Sequence, residues 1–246
     1  MRVAGVGLTA LAAAGRLRWQ RAGGRAGGCR EGAQVLCDVS RRVLGLHGVE
    51  LDASGPLPPG PALLASNHVS WLDPFVVASL LPCVPVAKAD VSCWPVVGSI
   101  ARQMGVVFVG RGDARSGARG LRSAQAVLAA DLPILNFPEG TTTDGRSVLP
   151  FRKGLFGIAR REGIPVIPVA LAYDPPELAW VGDDTFVPHW LRFASRRGAR
   201  AFIRLGSPVR ADAYASPLEL AHAAQAEVAR LLRSARCAGP AQRDPA

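Results

Sequence analysis

Lysine is nearly absent from this chain. Only Lys88 and Lys153 stand among 29 Lys and Arg residues, so arginine carries almost all of the positive charge. Aromatic residues are scarce too, at 6%. No helix-turn-helix, zinc-finger or RNA-binding signature accompanies the charge. The aromatic shortage and the missing signatures count against a basic nucleic-acid-binding protein, the alternative that charge alone supports. The five cysteines form no CxxC pair, and their odd number and irregular spacing suit free thiols in a reducing cytosol. No metal site is expected, with only four histidines to help build one. No apolar run reaches the length of about 18 residues that marks a transmembrane helix. A GxSxG nucleophile elbow, a Walker loop and a dinucleotide glycine fingerprint are also missing, which removes three common enzyme classes.

What is present suffices for one sizeable domain. The 246 residues are 49% hydrophobic and 20% charged, a balance that fills a core. The net charge of +10 draws the chain to anionic surfaces, although abundant Ala, Gly and Pro point to a compositional bias that also favours arginine. Val3 to Gly15 is a mostly apolar stretch behind Arg2, and Arg16, Arg18, Arg21, Arg25 and Arg30 follow it. Positive charge there opposes export. The expectation is a basic, Gly/Arg-rich segment over 1–30 lying on a membrane surface, with the protein peripheral at the cytoplasmic face. A catalytic domain over 31–238, with a motif core at 62–172, and a disordered tail over 239–246 complete the division.

Short apolar runs at 62–66, 84–87, 105–109, 132–137, 164–172 and 200–205 read as buried strands. Helical spacing appears at 31–46, 74–81, 94–104, 114–130, 151–161 and 216–236, and 52–61, with its Gly and Pro, reads as a loop. Leu121, Ala124, Val127 and Leu128 share one helical face, as do Leu220, Ala224, Val228, Leu231 and Leu232. The alternation predicts a single α/β domain, with a mixed or parallel central sheet flanked by helices on both faces.

Four blocks carry chemistry. In Asn67-His68-Val69-Ser70-Trp71-Leu72-Asp73-Pro74, a strand runs into a polar turn. A continuous helix would set His68 and Asp73 about 140° apart. Pro74 disfavours helix at Asp73 and suits the first helical position, so Asp73 is expected as an N-cap with His68 in the turn before it. There the carboxylate can orient the imidazole as a general base; the bland alternative is a helix cap beside a loop histidine. The second block is Gly105 to Arg111, a strand ending in an arginine able to grip a phosphate, or an ordinary surface arginine. The third is Phe137-Pro138-Glu139-Gly140-Thr141-Thr142-Thr143, in which Glu139 can bond a hydroxyl and Gly140 permits close approach. Arg152 and Lys153 open the next helix. The fourth, Val166 to Ala170, is apolar and reads mainly as core.

Together, in this order, the blocks resemble the family of bacterial 1-acyl-glycerol-3-phosphate acyltransferases and related lysophospholipid acyltransferases, over roughly residues 44–210. The family's NHxSxxD is matched at Asn67 to Asp73, its motif-final Arg at Arg111 and its FPEGT at Phe137 to Thr141. The resemblance implies that His68 and Asp73 are catalytic, with His68 deprotonating an acceptor hydroxyl that attacks the thioester of acyl-CoA or acyl carrier protein. Neither a covalent acyl-enzyme nor a cofactor is implied. Arg111, Glu139, Gly140 and Thr141 would bind the acceptor, with Asn67, Ser70, Thr142, Arg146, Arg152 and Lys153 as further head-group contacts. The lysophospholipid acceptor expected first is 1-acyl-glycerol-3-phosphate. Many members follow FPEGT with Arg-Ser; this chain has Thr142-Thr143-Asp144-Gly145-Arg146, which resembles relatives acting on lyso-ornithine lipid.

Overall fold

The computed structural model describes residues 28–95, 97–110, 114–182, 184–196 and 198–237. Arg111, the tail over 239–246, and all but the last three residues of the expected 1–30 segment lie outside them.

Seven strands form one sheet: β1 (Val49–Ser54), β2 (Leu63–Ser66), β3 (Val84–Lys88), β4 (Val107–Val109), β5 (Ile134–Asn136), β6 (Val166–Asp174) and β7 (Ala199–Leu205), in the order β1-β7-β6-β2-β5-β3-β4. β6, β2, β5, β3 and β4 pair in parallel, while β7 runs antiparallel to β6 and parallel to β1. The sheet is therefore mixed. Because β2, β5 and β6 are parallel neighbours, the turns leaving their C-terminal ends share one edge.

Alternate strand residues point to opposite faces, and both faces are buried. Leu64, Leu135, Ile167 and Leu171 belong to one core. It is covered by α1 (Cys29–His47), α2 (Asp73–Leu80) and α6 (Phe186–Ser195). Leu63, Ala65, Ile134 and Val166 face the other core, under α4 (Ala114–Ala129), α5 (Phe156–Glu162) and α7 (Pro217–Cys237). The remaining helix, α3 (Val97–Gln103), precedes β4.

α1 forms because Val35, Val39 and Val43 recur at helical spacing on its buried face, and it stops at Gly48, whose φ of 67° allows a left-handed C-cap. Its Arg41 Nε donates to Ser79 O at 2.8 Å, occupying a carbonyl that the end of α2 leaves open. Its Gly32 lies against the Met104 backbone, where an added Cβ would come within 2.8 Å of the carbonyl oxygen. On α7, Leu220, Ala224, Val228, Leu231 and Leu232 are all buried, as their spacing predicts.

Four expectations need correction. β1 extends to Ser54, so the loop read from residue 52 begins at Gly55. The helix expected from 151 starts at Phe156, leaving Arg152 and Lys153 on an exposed connection. Leu121 is 40% exposed while its stripe-mates Ala124, Val127 and Leu128 are buried. α6 was not expected at all. Among the described residues, no helix is long and apolar enough to cross a membrane.

Candidate active site

β2 ends at Ser66, and the chain turns through His68 to Leu72 before α2 begins at Asp73. Asp73 is thus the first helical residue rather than the N-cap, a place Leu72 takes. Its carboxylate folds back over the turn. Oδ2 accepts from His68 Nδ1 at 2.6 Å, from the Val69 N–H at 2.6 Å and from the Ser70 N–H at 3.0 Å. Oδ1 accepts from the Tyr173 hydroxyl at 2.6 Å. Asp73 is fully buried, while the His68 side chain keeps 20% of its surface. With a carboxylate on Nδ1, that nitrogen carries the hydrogen and Nε2 is left as the basic atom. The predicted pair forms, and by the fold-back expected of it.

The loop leaving β5 grips the His68 backbone from the other side. Glu139 Oε1 accepts from the His68 N–H at 3.3 Å, and His68 O accepts from the Thr143 N–H at 2.8 Å and from its hydroxyl at 3.2 Å. The imidazole stacks on Phe137, with ring centroids 4.1 Å apart. Gly140 closes the Phe137–Gly140 turn, its N–H donating to Phe137 O at 3.0 Å, at a φ of 74° that favours glycine. A third support comes from the segment after β6. The Trp180 N–H donates to Val69 O at 2.8 Å, and Trp71 Nε1 donates to His189 Nδ1 at 2.9 Å. Burial holds His189 below its ordinary pKa, so its neutral ring accepts from Trp71 and donates through Nε2 to Ala179 O at 3.2 Å.

Not every expected head-group contact faces outward. Asn67 is fully buried; its amide donates to Leu171 O at 2.9 Å and accepts from the Leu171 N–H at 2.8 Å. It therefore clamps the end of β2 to β6. Ser70 is buried as well and serves Asp73 through its backbone. Glu139 is only 3% exposed and turns toward the His68–Asp73 turn. Thr141, Arg146, Arg152 and Lys153 are exposed, and Thr142 is half-buried. Tyr173, Thr143 and His189 were missed. For Tyr173 a partial signal existed: it follows directly on the predicted strand 164–172, whose C-terminal end shares an edge with His68 when the two strands run parallel.

Burial pushes the Glu139 carboxyl up to about 8, against the opposing pull of the His68 and Leu149 backbone N–H groups, and the Asp73 charge adds to the rise. The folded carboxyl thus keeps a proton that the unfolded chain releases near pH 4.5. Native stability should fall as pH rises from about 4.5 to 8, by on the order of 2–4 kcal/mol. In Glu139→Gln that slope should flatten. Urea unfolding at several pH values measures it, and an identical slope in both proteins would refute the assignment.

Among the described residues, no three His, Cys, Asp or Glu side chains gather as a metal-ligand set. A histidine backed by a buried carboxylate, at the C-terminal edge of an α/β sheet, defines a candidate general-base centre. Residues 49–172 match the family model described as Acyltransferase. The chain is 34% identical over 206 residues to the Lyso-ornithine lipid O-acyltransferase of Rhizobium meliloti (strain 1021), covering 76% of this chain and 68% of the relative. It is 35% identical over 150 residues to the 1-acyl-sn-glycerol-3-phosphate acyltransferase of Neisseria meningitidis serogroup B, covering 60% of this chain and 59% of that one. The crystal structure of the 1-acyl-sn-glycerophosphate (LPA) acyltransferase, PlsC, from Thermotoga maritima shares the fold, with a TM-score of 0.67 at 20% identity over 98% of this chain and 100% of that one. The chain belongs to the acyltransferase family.

Proposed function

We propose that this protein transfers an acyl group from a thioester to the hydroxyl of a lysolipid. The observation that carries the reading is the His68–Asp73 pair, with Nδ1 tied to a buried carboxylate and Nε2 left basic on a partly exposed ring. Nε2 takes the proton of the acceptor hydroxyl as its oxygen bonds to the thioester carbonyl carbon. The tetrahedral adduct then expels the thiolate, which leaves protonated by the imidazolium. Asp73 stabilises that cation throughout. The donor is acyl-CoA or acyl carrier protein, and an already activated thioester calls for no cofactor.

The acceptor proposed first is 1-acyl-glycerol-3-phosphate, giving phosphatidic acid. Supporting it are the Arg111 motif and the cations Arg146, Arg152 and Lys153, exposed on the loop that follows Thr143. A second reading, lyso-ornithine lipid, is favoured by Thr142 where many members carry arginine, and by the longer alignment with the Rhizobium relative. A phosphomonoester gains more from a cation than from a neutral hydroxyl, since charge-assisted bonds are about twice as strong. In competition between the two lysolipids, Thr142→Arg should therefore raise the yield of phosphatidic acid relative to acylated ornithine lipid severalfold. An unchanged ratio would remove Thr142 from the head-group site. A wild-type preference for lyso-ornithine lipid would select the second reading. Attachment at the cytoplasmic membrane face is proposed through basic residues, so binding of the protein to vesicles of anionic phospholipid should weaken as salt rises. Salt-indifferent binding would argue against it.

A further inference from the structure

Asp73 is held unevenly. Three donors meet Oδ2, and all come from its own turn, within five residues. Oδ1 meets the Tyr173 hydroxyl, which arrives from β6, a hundred residues along the chain. A carboxylate turns easily about its last torsion, whose rotamer well is broad. The three local donors hold Oδ2 to its own turn, while the Tyr173 hydroxyl on Oδ1 ties the carboxylate to β6. The His68 Nδ1–H bonds best close to the carboxylate plane.

We infer that Tyr173 is a positioning residue, whose hydroxyl anchors the Asp73 carboxylate to β6 and through it sets the aim of His68 Nε2 at the acceptor. The inference rests on the proton-abstracting role proposed for His68. Tyr173 is suited to the task. Burial keeps its hydroxyl protonated, and the adjoining Asp73 charge reinforces this, so it is a permanent donor. The neighbouring titratable groups are His68 and Glu139, which meet across the same turn.

The hydroxyl also draws charge from the carboxylate. Removing it concentrates negative charge on Asp73 and favours the imidazolium, so the acid limb of kcat/KM should move to higher pH. A stronger donor should move it lower. The experiment compares wild type, Tyr173→Phe, a protein carrying 3,5-difluorotyrosine at 173, and His68→Ala. Phenylalanine keeps the ring and loses the hydroxyl. Difluorotyrosine is the more acidic donor and carries the test alone if Tyr173→Phe fails to fold. In Tyr173→Phe, kcat should fall roughly tenfold with both KM values unchanged, as expected for losing a bond to a charged group. Its acid limb should rise by about half a pH unit, and that of the difluorotyrosine protein should fall. Limbs that stay put in both proteins overturn the inference even if kcat drops, because the ring then acts by packing alone. Normal turnover in Tyr173→Phe beside an inactive His68→Ala overturns it and leaves the general base standing. Turnover in folded His68→Ala overturns both.

Discussion

Replacing His68 by alanine should lower kcat by about 10²–10⁴-fold without unfolding the protein. The side chain is partly exposed and stacks on Phe137, and Asp73 keeps three other donors when the Nδ1 bond is lost, so its removal leaves the core intact. Asp73→Asn should be nearly as damaging. The amide is isosteric, but its NH2 cannot accept from the hydrogens that now converge on the carboxylate. One or more of His68 Nδ1, the Val69 and Ser70 N–H groups and the Tyr173 hydroxyl then loses its acceptor. Asp73→Asn should therefore lose stability as well as activity, whereas His68→Ala should lose activity alone. Paired thermal melts and steady-state assays separate the two. Near-normal turnover in folded His68→Ala would end the mechanism.

Asn67→Ala should produce the largest loss of stability of any single change in the motifs. The side chain fills both backbone groups of Leu171 in the interior. Alanine leaves a buried N–H and a buried C=O without partners, at about 1–3 kcal/mol each. A loss of roughly 2–4 kcal/mol in urea unfolding is expected, with activity per folded molecule less affected than stability. Asn67→Asp tests the donor half separately, because a carboxylate accepts from the Leu171 N–H but cannot donate to Leu171 O. A loss below about 1 kcal/mol for Asn67→Ala would return Asn67 to consideration as a substrate contact.

The strands that carry the site were readable because each is a short apolar run buried on both faces, with a polar turn behind it. β2, β5 and β6 fall within two residues of their expected bounds, and β6 runs on through Tyr173 to Asp174. β1 was not readable. Val49–Ser54 is an edge strand, mostly exposed, and Glu50 and Asp52 break its apolar pattern; pairing with β7 makes it a strand. α6 was hidden for a related reason: Pro188 interrupts its helical pattern, and its buried side rests on His189 and Phe193 rather than on an aliphatic stripe. At the site, Pro74 marked where the helix starts, and so left His68 and Asp73 in a turn where the two could meet. Spacing could not show that Asn67 and Glu139 turn inward. Polar residues at strand ends suit a substrate or a neighbouring backbone equally well, and only the packing of β2 between β5 and β6 decides between them.

Contacts that hold the His68–Asp73 turn come from far along the chain. Glu139 stands 71 residues from His68, Tyr173 stands 100 from Asp73 and Leu171 stands 104 from Asn67. During synthesis, His68 and Asp73 leave the ribosome well before any of these partners exists. A nascent chain ending ahead of β6 holds both His68 and Asp73 yet lacks the clamp and the donor to Asp73 Oδ1. Acquisition of activity is thus a late event of folding, and its return after dilution from denaturant should lag the return of helical signal, since distant strand pairings close slowly.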